Sequence, residues 1–421
     1  MTKGIRVISN KNMSLSDELV ECKRPEIVYI PLVNHCNFEC ESLVKKGDKV
    51  LKGSVIGKRN DKIDLPIHSS VSGKVLGIEE KLYLNGEKVK CVVIENDLRE
   101  KQINLVGAKP TISSYSKSDF IKLLKECAVV GMGGSDFPAY IKYQGKLKTI
   151  IVNAIECEPY VTADSMIIKK YADEILETVD AIMEINNIEQ GIIAIREGHS
   201  NIRKMLEQYI GTYPKITIVS LKNVYPMGWE KMLIEETLGV TYDKLPIEKG
   251  IVVNNVSTIY AIYKALKFKR PISRRIVTVT GESISEPRNI LIKIGTSMKD
   301  VITEFGGYKE TSKVRFIAGG PMMGTCVESD ELIVTKNLNC VLVIPDKDED
   351  ALPCIRCGQC IDVCPANICP VLIKDKVRDF NSLKYLHPEK CIECGLCSYI
   401  CPSKIRIRES VREAKKEIRR H

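Results

Sequence analysis

The sequence predicts a multidomain α/β protein in which a parallel sheet with covering helices lies between a β-rich head and a cysteine-rich tail. Three observations carry this. From about residue 110 to 265, apolar strands alternate with helical stretches: TIIVNAIE, SMIIKKYADEILETVDAIMEIN, QGIIAIRE, NIRKMLEQYIG and KITIVSL follow in that order. Such βαβα alternation builds a parallel sheet with helices packed on it. Before it, residues 1 to about 100 read as short strands punctuated by glycine turns. After it, eight of the 17 cysteines fall in two runs of identical spacing.

The length of 421 residues suits two to four domains, and 44% hydrophobic residues suffice for ordinary cores. There is no apolar run of about 18 residues to span a membrane. The start, MTKGIRVISN, lacks the apolar stretch of a secretory signal. The expected location is therefore the cytoplasm, with peripheral docking at the inner face of the cell membrane left open. In a long chain without an export signal, clustered cysteines point to metal ligation rather than disulfides. The formal charge of +9 counts those cysteines as neutral. Much of the excess follows Lys404, and no zinc-finger or RNA-binding pattern accompanies it, so nucleic acid is not an expected partner.

Taken in order, residues 1–105 are expected to form a barrel-sandwich module. LVKKGDKVLKG places turns at Lys46-Gly47-Asp48 and Lys52-Gly53, and PIHSSVSGKV adds another at Gly73. This pattern resembles lipoyl and biotinyl carrier domains, but no lysine stands in their Met-Lys setting, so the module is expected to be structural. Residues 106–268 form the α/β domain. Residues 269–346, with RRIVTVTGESI and NILIKIGTSMKDVITEFGG, suggest a small β-rich module with one helix. Residues 347–421 hold the cysteine runs and a last helix. There Arg408, Arg412 and Lys416 step by four beside Glu409, Glu413 and Glu417, the pattern of a solvated helix end or of a docking surface.

The runs are CIRCGQCIDVCP, with Cys354, Cys357, Cys360 and Cys364, and CIECGLCSYICP, with Cys391, Cys394, Cys397 and Cys401. Each is C-x-x-C-x-x-C-x-x-x-C-P. Three thiolates at this spacing wrap one face of a [4Fe–4S] cube, and the fourth reaches the other cube. Cys354, Cys357, Cys360 and Cys401 are thus assigned to one cluster, and Cys391, Cys394, Cys397 and Cys364 to the other. Zinc would leave a third cysteine over in each run. Cys369 is expected to be buried and inert.

A glycine-rich loop, GMGGSDFPAYIKY at 131–143, precedes VNAIECEPYVTAD, where a strand from Thr149 ends at Asn153 and delivers Glu156 and Glu158. Ligands of open α/β sheets bind at that end of a strand, and bare amides suit a phosphate. A flavin or nicotinamide nucleotide fits this pair of segments; so does a tight turn followed by solvated acids.

Together these residues resemble the RnfC family: the soluble RnfC component of the Rnf electron-transport complex and its relatives, among them the electron-transfer protein of clostridial proline reductase. The flavin- and NADH-binding subunit of respiratory complex I is a more distant relative. YPMGWEKMLI, VVNNVSTIYAIYKAL, VTVTGESISEP and GGPMMG agree with the family in the same order, so the match runs nearly end to end. The resemblance implies a barrel-sandwich module, a Rossmann-like domain, a β-grasp (SLBB-like) module and a two-[4Fe–4S] ferredoxin domain. It implies that Gly131, Gly133, Gly134, Phe137 and Lys142 contact FMN or NADH, and that Asn153, Glu156, Glu158 and Tyr160 line the same pocket. It further implies NADH oxidation at FMN, with electrons passed singly through the clusters to a protein redox partner, either a reductase such as proline reductase or subunits of an Rnf-type membrane complex.

Departures from the family pattern refine the expectation. Asp136 puts a carboxylate in the glycine loop, Ile155 adds bulk between Asn153 and Glu156, and Met227 and Trp229 replace smaller or polar residues. If all four face the pocket, FMN and NADH bind weakly, and the chain is a carrier between protein partners without dehydrogenase activity. Cys36 and Cys40 form a C-x-x-x-C pair beside His35, open to redox activity or to two unconnected thiols. Cys157, between the two acids, is expected on the wall of the pocket.

Overall fold

The computed structural model describes residues 4–16, 18–34, 38–59, 61, 63, 65–103, 111–309, 313–347 and 350–420. His35 and Cys36 lie outside the described residues. Cys40 is buried in the core of the first module.

That module is built from short antiparallel strands. Ile27–Pro31, Lys88–Asn96, Gly73–Leu82 and Lys49–Val50 form one sheet in that order, and Glu41–Ser42, Val55–Lys58 and Pro66–His68 form a second. Side chains alternate across a pleat, so Val28 and Ile30 of VYI turn inward with Val75, Val92 and Ile94. The first residues of the chain lie elsewhere. Ile5 bridges Tyr225, and Val20–Glu21 adds a strand to a sheet formed late in the sequence.

The α/β domain has four parallel strands in the order Ile216–Leu221, Gln190–Arg196, Thr149–Ala154, Ile251–Asn255. Helices α1 (Lys117–Glu126), α2 (Ala163–Asn186), α3 (Ser200–Ile210) and α5 (Val256–Phe268) contribute to one core. Helix α4 (Glu230–Leu238) covers the other face. The chain first builds outward from the Thr149 strand, then returns to its far side. That reversal leaves a crevice at the C-terminal ends of the two central strands, where Asn153 and Asn255 are register partners.

The third module is a six-stranded mixed sheet that carries Arg274–Thr280, Arg288–Lys293, Val314–Ala318, Thr325–Val327 and Cys340–Pro345 besides the early strand, with helix α6 (Met298–Glu304) packed on it. The last module winds five short helices, α7 (Gln359–Asp362), α8 (Pro370–Asp375), α9 (Phe380–Leu386), α10 (Leu396–Tyr399) and α11 (Ile407–Arg420), around the cysteines. Helix α11 is not the solvated end that its charge pattern suggests. Ile407, Val411 and Ala414 are buried, and Arg408 reaches the carbonyls of Met322 and Gly324. Arg412 and Lys415 bind Glu393 at 2.8 and 2.7 Å. The spacing of charges was legible; that the opposite stripe packs on the cysteine core was not. No described helix is long and apolar enough to cross a membrane.

Phe120 of α1 is fully buried in the core of the α/β domain, its ring edge-on to Tyr143 at 5.0 Å. Phe120→Ala is expected to cost about 3–5 kcal/mol, read as a lowered midpoint of denaturant unfolding.

Candidate functional site

A cavity of about 560 Å³ occupies the crevice, within the range of small-ligand sites. Gly133, Gly134 and Ser135 form one rim, and Asn153, Glu156, Cys157 and Glu158 follow from the strand end. Tyr225, Gly228, Trp229 and Glu230 come from the segment leading into α4, Asn255 from the next strand, and Gly319, Gly320 and Met323 from the third module. The loop closes on itself: Gly131 donates its amide to Phe137 at 2.8 Å and accepts that of Asp136 at 3.0 Å. Gly134 sits at φ +109°, a region a side chain resists. Bare backbone is therefore exposed on the rim beside the N-terminus of α5, where an anion is favoured. The donor set fits a flavin phosphate.

The acids on the wall are held, not free. Glu156 accepts the Asp164 amide at 2.7 Å and the Ser165 hydroxyl at 2.6 Å, so it caps α2, and the buried Lys11 lies 3.5 Å from it. Glu158 accepts the amides of Met322 and Met323 at 2.7 and 3.0 Å. Burial pushes its carboxyl up while those amides oppose the shift. Asp164 takes Asn255 Nδ2 at 2.6 Å and Ser257 Oγ at 2.7 Å. Burial, then the nearby Glu156, raise it to about 6.

Of the nine pocket residues expected from the sequence, Gly133, Gly134, Asn153, Glu156 and Glu158 line the cavity. The other four stand behind it. Gly131 and Phe137 close the loop. Lys142 donates to the Val253 carbonyl at 2.8 Å and lies 3.7 Å from Glu230. Tyr160 donates to Glu282 at 2.6 Å and accepts from Asn10 at 2.7 Å. Asp164, Asn255 and Glu230 escaped the sequence reading as individual residues, although VVNNVS and YPMGWEK were noted as segments.

The four departures from the family pattern mostly face elsewhere. Ile155 and Met227 are fully buried in the core under α4, because that face of the sheet lies below the crevice. Asp136 is not on the wall; burial raises its carboxyl, and the half-buried Lys336, whose ammonium donates to the Ala128 carbonyl at 2.9 Å, opposes the shift. Of the four, only Trp229 reaches the cavity.

Beside this crevice the cysteines converge in two groups. Cys364, Cys391, Cys394 and Cys397 surround one small cavity, and Cys354, Cys357, Cys360 and Cys401 surround another of about 260 Å³. The grouping is crossed, each run lending its fourth cysteine to the other. Gly358 and Gly395, both at φ +80°, turn the chain into α7 and α10. The amides of Arg356 and Glu393 point at Cys354 Sγ (3.4 Å) and Cys391 Sγ (3.3 Å). Burial pushes Cys394 and Cys397 up to about 12, and a bound cation would favour their thiolates. The residues fit iron–sulfur cubes. Cys369, expected to be fully buried, is half-buried: it packs against the core of the last module and lines the second group's cavity.

A crevice for a flat anionic cofactor beside two cradles of four thiols defines an iron–sulfur electron-transfer protein. Residues 1–99 match the RnfC barrel sandwich hybrid domain, 124–264 the Nuo51 FMN-binding domain, 276–325 the SLBB domain and 353–405 the 4Fe-4S dicluster domain. The chain is 33% identical over 380 residues to the C subunit of the proton-translocating ferredoxin:NAD(+) oxidoreductase complex of Clostridium ljungdahlii, covering 88% of this chain and 82% of that one. It is 34% identical to the C subunit of the ion-translocating oxidoreductase complex of Vibrio cholerae O395, covering 87% of this chain but only 49% of the relative. An NAD+-reducing [NiFe]-hydrogenase, in its air-oxidised crystal structure, shares the fold at a TM-score of 0.51 and 16% identity, over 74% of this chain and 62% of that one. The chain belongs to the RnfC family, the C subunits of ion-translocating ferredoxin:NAD+ oxidoreductase complexes.

Lys336→Met should destabilise the protein more at pH 8 than at pH 5. The folded Asp136 carboxyl lies above its unfolded value, so its burial costs nothing while protonated and costs progressively more as pH rises. Without Lys336 that loss has no offset, and the variant's deficit should grow by more than about 1 kcal/mol between the two pH values, measured by urea unfolding.

Proposed function

We propose that this chain takes electrons from NADH at an FMN in the crevice and passes them through two [4Fe–4S] clusters to a protein partner. The observation that carries this reading is the shared wall. Ile392 lines both the crevice and the Cys364/391/394/397 cradle, and Tyr225, on the crevice wall, donates to the Cys394 carbonyl at 2.7 Å. FMN, when bound, supplies the conversion of a two-electron hydride into single electrons.

The chain's own residues do the rest. The amides of Gly133 to Ser135 hold phosphate; Asn153 and Asn255 bracket the ligand from the two central strands; Trp229 and Tyr225 wall it from water. Cys364, Cys391, Cys394 and Cys397 would hold the cluster nearer the crevice and Cys354, Cys357, Cys360 and Cys401 the outer one; such clusters, when bound, would supply one-electron relay between crevice and surface. Cys357 is exposed, and Leu352, Ile355, Ile361 and Leu372 present apolar surface around it. That surface suits a partner protein such as another component of an Rnf-type membrane complex, with the chain held peripherally at the membrane's inner face; a soluble reductase, proline reductase included, would dock in the same way. The second reading, a carrier with no dehydrogenase activity, retains the clusters and the exit but not NADH.

Protein purified without oxygen should carry about eight iron and eight sulfide; a fully reconstituted chain with near four would refute the pair of cubes. Anaerobic NADH should bleach the clusters of the FMN-loaded protein. Bleaching by dithionite alone would select the second reading.

Because Asp136 stands off the wall, Asp136→Gly should change FMN affinity less than about threefold, roughly 0.6 kcal/mol. Trp229→Leu should change it more, both read by quenching of flavin fluorescence.

A further inference from the structure

A second cavity, of about 410 Å³, shares a wall with the crevice. Met132 and Ser257 line it, while Gly133, next to Met132, and Asn255, two residues before Ser257, line the crevice. Five cations face it, Lys52, Lys264, Arg270, Arg274 and Arg275, and no acidic side chain is among its described lining residues. Some of this charge is answered from outside: Glu100 holds Lys52 at 2.8 Å, and Glu21 holds Arg274 at 2.5 Å. Lys264 and Arg270 have no described carboxylate within salt-bridge reach. Arg275 is 3% exposed and donates to the carbonyls of Ile276 and Lys336. Burial lowers the Lys264 pKa; Glu174 opposes that, and Lys52, Arg270 and Arg274 add to it. Like charges gathered in a partly buried cavity repel one another unless an anion joins them.

The other wall is aromatic. Tyr171 and Tyr260 stack at 4.1 Å, and Phe268 lies with the Lys264 ammonium 4.9 Å from its ring centre. Helix α2 leaves helical geometry at Tyr171 (φ −140°, ψ 34°) with neither proline nor glycine there. Such breaks need a local cause. Here the break falls at a residue on the cavity wall.

We propose that this cavity is a second binding site, separate from the flavin-type crevice, for a nucleoside polyphosphate whose phosphates meet Lys264, Arg270 and Arg274 and whose base lies against Tyr171, Tyr260 and Phe268. The proposal stands whether or not FMN occupies the crevice. Cations and aromatic faces divide the recognition, since phosphate binding is salt-dependent and stacking is not.

The test is calorimetric titration of the full chain, its clusters reconstituted anaerobically, with ADP, pyrophosphate and adenosine, each with and without saturating FMN and NADH. ADP should bind saturably, pyrophosphate several-fold more weakly, and neither should be displaced by FMN and NADH. Lys264→Gln and Arg270→Gln should each weaken ADP and pyrophosphate at least fivefold and flatten the salt dependence. Tyr260→Leu should weaken ADP alone. Unchanged iron content and FMN affinity in these variants would show that they fold. Absence of saturable ADP binding, its displacement by FMN and NADH, or indifference to both cation variants would overturn the site. Equal affinity for pyrophosphate and ADP would overturn the nucleoside half of the assignment.

Discussion

The carboxylate of Glu158 is the point on which the modules meet. It leaves the central strand of the α/β domain and takes the amides of Met322 and Met323, in a loop of the third module. The same loop offers the Met322 and Gly324 carbonyls to Arg408 of α11. Gly320 must lack a side chain there, since a Cβ would lie 2.2 Å from Glu158 Cγ. Gly395, at the turn between Cys394 and α10, must lack one too, since a Cβ would meet the Met322 carbonyl at 2.5 Å. One buried acid thus ties crevice, SLBB module and cysteine module together. Amide-to-carboxylate bonds are among the stronger ones, and they hold the crevice and the nearer cradle at a fixed spacing.

The buried charges follow a common logic. An isolated charge away from water is costly, yet this protein buries Lys11, Glu156 and Arg275 and half-buries Asp136 and Lys336. Each has an answer. Glu156 caps α2 and neighbours Lys11, Asp136 is opposed by Lys336, and Arg275 rests on carbonyls. These pairings join segments distant in sequence, Lys11 with Glu156 and Asp136 with Lys336. They act less as sources of stability than as registration between modules.

Much of the site was legible in the sequence because its signals are local. Cysteine spacing gives the ligand runs directly, since three thiols within seven residues can reach one cube without help from the rest of the fold. Strand and helix alternation gave the parallel sheet, and the glycine loop with the acids at a strand end gave the crevice. Less legible was which way side chains point once a strand ends. Ile155 and Met227 read as pocket residues but belong to the core beneath it, and Asp136 read as facing phosphate but stands off the cavity wall, its charge opposed by that of Lys336, 200 residues on. Nothing in a local window reports a partner that far away.

By itself, then, the sequence determined the order of the modules, the eight cysteines in two runs, the bare amides of the loop and the family the chain belongs to. These depend on covalent spacing and on periodicities of two and 3.6, which survive without knowledge of the fold. Tertiary structure alone decided that Glu158 bonds to the GGPMMG loop, that α11 buries one face on the cysteine core, that the near cradle shares Ile392 with the crevice and that five cations from three modules face one cavity. Each of those arises where surfaces distant along the chain are pressed together, three of them between modules and that of α11 within the last one, and the energy that selects them belongs to the packed whole rather than to any stretch of chain.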